Sequence, residues 1–200
     1  MKTSIKYIVA IFAMALTFVS CSNDDETAVN ELEGITKFKE ITNDTHTIEL
    51  YSHMGSLEQG YNEISLRIKE NGTNNYIKNA EVSWSPLMHM TMMTHSCPYS
   101  AVEKVTENGT LYEGYIMFQM AQNETEYWDL KIDYTINGVD YTVTSVIDVP
   151  ASAKRKVNTF TGSDGVKYLV AYIEPHHPKV AVNDMKVGVW KMQSMMNFPV

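Results

Sequence analysis

The chain of 200 residues is short of cysteine: it has only Cys21 and Cys97. If Cys21 is modified, Cys97 has no partner for an intrachain disulfide, and a lone thiol in an oxidising compartment invites a chemical reason. Basic residues are also scarce, with 16 Lys and Arg against 24 Asp and Glu and a formal net charge of -8. That balance excludes a nucleic-acid binder, whose affinity comes largely from Lys and Arg neutralising phosphates. No long stretch carries the apolar period of a helix. There is no Gly-x-Ser-x-Gly elbow, no His-Glu-x-x-His pair and no phosphate loop, so an enzyme is not expected. The apolar run from Tyr7 to Val19 is shorter than the roughly 20 residues needed to span a bilayer.

That run follows Lys2 and Lys6, the charged start and apolar middle of a secretion signal. It ends Phe18-Val19-Ser20-Cys21, which resembles a bacterial lipobox, with Phe18 where Leu is more usual. The expectation is that residues 1–20 are a signal peptide and that Cys21 is lipidated and becomes the mature N-terminus. Loss of Lys2 and Lys6 leaves 14 basic against 24 acidic residues, a net charge of -10. Such a field attracts cations. Ser22-Asn23-Asp24-Asp25-Glu26 resembles the surface-export signal of Bacteroidetes lipoproteins. These features imply a lipid-anchored protein of the cell envelope, at the outer membrane and exposed on its surface. Residues 21–44 are expected to form a polar tether, too poor in apolar groups to fold alone.

From Thr45 onward strand signals dominate. Ile64, Leu66 and Ile68 alternate on one face, as do Ile116, Phe118 and Met120, and Trp128, Leu130, Ile132 and Tyr134. Asn71-Gly72 and Asn108-Gly109 mark turns. Asn137-Gly138 predicts a two-residue hairpin turn with positive φ. The reading is an all-β, immunoglobulin-like antiparallel β-sandwich over residues 45–149, with a closed barrel as the alternative. Residues 150–166 read as a linker. Residues 167–200 read as the start of an incomplete second copy. Asn183, Asp184, Met185 and Val187 then line up with Asn62, Glu63, Ile64 and Leu66, and Tyr172 with Tyr51.

The most unusual segment is Leu87-Met88-His89-Met90-Thr91-Met92-Met93-Thr94-His95-Ser96-Cys97. Thioether sulfur suits Cu(I), imidazole suits both copper states, and thiolate binds Cu(I) strongly. Zinc is less natural, because thioethers are not among its usual ligands. If the segment runs extended, Met88, Met90 and Met92 share one face. His89, Met93, His95 and Cys97 then lie opposite; in a loop, either set converges on one ion instead. Against this stands plain packing, since methionine is a flexible filler of cores. Met54, Met117, Met120 and Met185 are read that way.

The exported sandwich, the Asn79-Ala80-Glu81-Val82 strand and Pro86-Leu87-Met88-His89-Met90 with Met93 and His95 resemble the YtkA-like domain. Tyr112-Glu113-Gly114-Tyr115, Phe118-Gln119-Met120-Ala121 and Trp128-Asp129-Leu130 resemble its later strands, and the likeness covers about Thr45 to Val149. Cys97 departs from a simple Met/His pattern. The resemblance implies non-catalytic copper handling, as Cu(I), with hand-over to a copper-receiving envelope protein. The expected metal ligands are Met88, His89, Met90, Met93, His95 and Cys97. The competing expectation is a cell-surface adhesion or structural-interaction module without metal.

Overall fold

A computed structural model of the chain describes residues 30–199. The signal segment, Cys21 and the acidic cluster after it lie outside the described residues. The described chain is built from twelve strands, and no helix occurs among the described residues. They are β1 (Thr36–Thr42), β2 (His46–Ser52), β3 (Gly60–Glu70), β4 (Glu81–His89), β5 (Thr94–His95), β6 (Glu103–Lys104), β7 (Tyr112–Phe118), β8 (Tyr127–Ile136), β9 (Val139–Ile147), β10 (Val157–Thr161), β11 (Lys167–Glu174) and β12 (Lys186–Met192).

The strands form three antiparallel sheets, ordered β1-β2-β3-β7-β6, β5-β4-β8-β9 and β10-β11-β12. Within the first two, the order β2-β3-β7-β6 opposite β4-β8-β9 is the A-B-E-D and C-F-G order of the immunoglobulin fold, with β5 added beside C. No ladder joins the two sheets into a barrel. The cause is the alternation. Ile64, Leu66 and Ile68 of β3 and Trp128, Leu130 and Ile132 of β8 are fully buried between the sheets, while their neighbours in sequence point out. Trp84 of β4 packs in the same core and donates its indole N–H to the Ser100 carbonyl at 2.9 Å. Gly114 makes room for it, since a Cβ there would meet the Trp84 ring at 2.7 Å. At the β8–β9 hairpin Asn137 and Gly138 take φ of 51° and 79°, as the Asn-Gly signal predicts.

Two expected boundaries move. Residues 36–42, assigned to the tether, form β1, which pairs with β2 and buries Ile41. Residues 157–161, assigned to the linker, form β10, which pairs with β11. Both strands are polar and border a sheet, so the ladder rather than an apolar pattern defines them.

The third sheet packs one face on the outer side of β3 and β7. Leu169, Ala171 and Trp190 form a small core with Met117, flanked by Tyr61 and Tyr115. The Trp190 indole N–H donates to the Tyr115 hydroxyl at 3.1 Å. The order β10-β11-β12 matches β1-β2-β3. The loops leading into β3 and β12 match as well. The Asn62 side chain accepts from the Glu58 N–H at 3.1 Å and donates to the Glu58 and Gly60 carbonyls at 2.8 and 2.9 Å. The Asn183 side chain accepts from the Lys179 N–H at 2.8 Å and donates to the Lys179 and Ala181 carbonyls at 2.8 and 2.7 Å. Beyond Asn183 the alignment slips by one residue. Gly188 and Trp190 face inward, sharing a face with Ala171 and Leu169. Met185 and Val187, aligned above with Ile64 and Leu66, are 71% and 49% exposed. A one-residue slip in a strand turns every side chain to the other face.

Candidate functional site

The methionine–histidine segment is a hairpin at the end of the second sheet. Pairing of β4 with β5 sets Met88 opposite His95 and His89 opposite Thr94. The Met90 N–H donates to the Met93 carbonyl at 2.9 Å and closes the turn between them. This reversal divides the six expected ligands. Met88, His95 and Cys97 are buried, and Met90 packs against the same core. His89 and Met93 are not with them. Met93 and Met92 lie exposed on the turn. His89 sits on the outer face, stacked on Tyr127 at 4.8 Å, with Nε2 2.7 Å from Asp129 Oδ2. The expectation that His95 and Cys97 oppose Met88 fails for one reason. It assumed an unbroken extended run, and the chain turns back at Met90–Met93.

His95 is the most unusual group here. It is 1% exposed. Its Nδ1 lies 2.8 Å from the Ser96 carbonyl oxygen. The Gln119 amide nitrogen also lies 3.0 Å from Nδ1; the shorter contact is to the carbonyl, which can only accept, so in the neutral ring Nδ1 carries the hydrogen and donates it to Ser96. The Gln119 amide donates to the same carbonyl at 2.9 Å. His95 Nε2 is then a bare lone pair, buried and without a hydrogen-bond partner. The ring meets Trp128 edge to face at 5.5 Å. A histidine whose N–H is held by a backbone carbonyl while its other nitrogen is free has the arrangement usual for a metal ligand. Its cross-strand neighbour is Met88, and directly opposed side chains have Cβ atoms about 4.5–5.5 Å apart.

Cys97 is a core thiol. Burial pushes its pKa well above the ordinary thiol value. Among the described residues no three His, Cys, Asp or Glu side chains are gathered for a metal ion. Any site at the hairpin therefore depends on thioether sulfur.

Sequence reading missed what holds His95. The Ser96 carbonyl is a backbone group, and Gln119 lies on the far side of a loop. It also missed the C-terminal segment, whose Met195 carbonyl accepts the Ser96 N–H at 3.0 Å. No local pattern signals a contact between parts of the chain so distant in sequence.

The chain matches no protein-family model, no curated protein and no solved structure. The likeness to YtkA-like domains therefore stands on the motif residues alone.

Proposed function

We propose that this chain is an exported, lipid-anchored and non-catalytic envelope protein that binds Cu(I) at the β4–β5 hairpin and hands it to a copper-receiving envelope protein. The observation that carries the reading is the bare, buried Nε2 of His95 beside Met88. An unpartnered buried polar atom costs free energy, and a soft cation relieves that cost. Thioether and imidazole are a donor pair that favours Cu(I). The ligand set is led by His95 and Met88, with Met90 as the third donor and Cys97 as the alternate. His89 and Met93 do not ligate on this reading, His89 because it faces Asp129 and Tyr127 and Met93 because it lies exposed on the turn. The acidic balance of the chain draws cations toward it.

The rival reading is packing, favoured by the full burial of Met88 and Cys97. The sandwich is then an adhesion or interaction module. An anaerobic Cu(I) titration of the mature chain, kept soluble by Cys21→Ser, separates the two. The copper reading expects saturable binding of one ion, and absence of binding leaves the packing reading. The anchor is tested apart from this. Cys21→Ser in the full chain is expected to abolish lipid labelling and detergent-phase partitioning, and retention of both contradicts lipidation at Cys21.

A further inference from the structure

A second group of ligand-type side chains lies on the outer face of the first sheet, where the third sheet meets it. His53, in the loop between β2 and β3, has Nδ1 3.1 Å from the Gly34 carbonyl and Nε2 3.1 Å from Glu63 Oε1. A carbonyl has no hydrogen, so Nδ1 donates. Nε2 and the carboxylate oxygen then face each other, and a positive centre must sit between them. With nothing else bound, that centre is a proton. The hydrogen bond to Gly34 and the Glu63 carboxylate accordingly hold the His53 pKa above its ordinary value. Glu113 lies diagonally across the β3–β7 ladder from Glu63, opposite Ser65, whose hydroxyl donates to it at 3.1 Å. Burial and the Glu63 charge push the Glu113 pKa up. The His176 ring, from the loop between β11 and β12, stands 5.9 Å from the His53 ring, tilted by 41°.

We propose that His53, Glu63 and His176 bind a divalent transition-metal cation of the zinc type, with Glu113 completing the charge balance beside it. Two ligand atoms on a tetrahedral zinc with bonds of about 2.0–2.1 Å lie roughly 3.3 Å apart. The Nε2–Oε1 separation of 3.1 Å is within a few tenths of that. Two imidazoles on one such ion have ring centres about 5 Å apart by the same geometry. His176 must therefore approach by about 1 Å and turn a ring nitrogen toward the ion, movements open to an exposed side chain on a loop. That approach brings three ligands together, where no three such side chains are gathered among the described residues as they stand. The Gly34 carbonyl, accepting from Nδ1, already holds the His53 ring as a ligand histidine is held. When the cation enters, Nε2 and the Glu63 carboxylate each donate a lone pair to it, and a proton held on Nε2 leaves to solvent. Nitrogen and carboxylate oxygen suit zinc, whereas the thioethers of the hairpin do not. The two sites thus sort metals, and this one fastens the β11–β12 loop to the first sandwich. Nothing in it depends on copper binding at the hairpin.

The test is calorimetric titration of the mature Cys21→Ser chain with Zn²⁺ in two buffers of different ionisation heat, repeated with His53→Gln, His176→Ala and His177→Ala. One ion is expected to bind, with the proton count read from the difference between the two buffers. His53→Gln and His176→Ala are each expected to weaken it by about tenfold or more, the usual scale for losing part of a metal site. His177→Ala is expected to leave it unchanged. Exposed His176 has little effect on folding, so its variant isolates the site, and Co²⁺ absorption bands of tetrahedral intensity give a second readout. Absence of zinc binding, or binding indifferent to His176→Ala, overturns the proposal.

Discussion

The two faces of the β4–β5 hairpin carry the same residue types in opposite surroundings. Inward stand Met88, His95 and Cys97, all buried. Outward stand His89 against Asp129 and Tyr127, and Met92 and Met93 in solvent. On the outer face His89 Nε2 makes no hydrogen bond of good geometry but lies 2.7 Å from the Asp129 carboxylate, a charge partner that His95 lacks, and the thioethers of Met92 and Met93 are exposed. On the inner face a nitrogen lone pair has no partner, and the neighbouring sulfur is fixed by packing. A list of donor atoms is therefore a poor guide to a metal site. The turn that sorts those donors by face decides which of them can act together.

The contrast breaks most severely if inner and outer methionines prove equivalent. Met88→Leu with Met90→Leu is expected to lower Cu(I) affinity by two orders of magnitude or more, on the order of 3 kcal/mol. The same pair should change folding stability by less than about 1.5 kcal/mol per swap, because volume is conserved. Met92→Leu with Met93→Leu is expected to change Cu(I) affinity less than about twofold, since both side chains are exposed. Competition against a Cu(I) chelator measures the first and third, and urea unfolding the second.

Histidines at other places extend the comparison to pH. His46 is buried between Tyr134 and Tyr141, and burial holds its pKa below the ordinary value. Its folded state favours the neutral ring. The stability it contributes is present above about pH 6.5, the unfolded value, and is lost as pH falls through its folded pKa. His53 is half exposed, and its pKa is raised. Its contribution is full below about pH 6.5 and is lost as pH rises through the raised value. Solvent screening keeps that contribution small, well under about 1 kcal/mol. Urea unfolding in the presence of a chelator is expected to give His46→Gln a flatter acid limb than the parent. His53→Gln is expected to lose the decline that the parent shows as pH rises from about 6.5 through the raised value. Identical pH profiles for parent and His46→Gln contradict the buried assignment.

Much of the fold was legible because its central strands announce themselves. The alternation in β3 and β8 and the Asn137-Gly138 turn depend only on neighbours in sequence. β1 and β10 did not announce themselves, since their residues are mostly polar and their partners define them. Met54 and Met185 read as core and are exposed, whereas Met117 is buried between the first and third sheets. Nothing in their own neighbourhood distinguishes them. At the hairpin, residue types were legible and faces were not. The turn at Met90-Thr91-Met92-Met93 contains none of the Gly, Pro, Asn or Asp residues that signal reversal. The extended alternative therefore groups side chains that the turn separates.

The most direct measurement sets the two hairpin histidines against each other: anaerobic Cu(I) competition on His95→Phe and His89→Phe, side by side with the parent. Phenylalanine keeps an apolar ring in the pocket against Trp128 and removes the orphaned nitrogen, so apo stability of His95→Phe should stay within about 1.5 kcal/mol of the parent. Loss of Cu(I) affinity by two orders of magnitude or more in His95→Phe, with less than about a threefold change in His89→Phe, is the predicted result. Equal affinities for parent and His95→Phe, or a larger loss in His89→Phe, contradict the assignment of the inner face as the copper site.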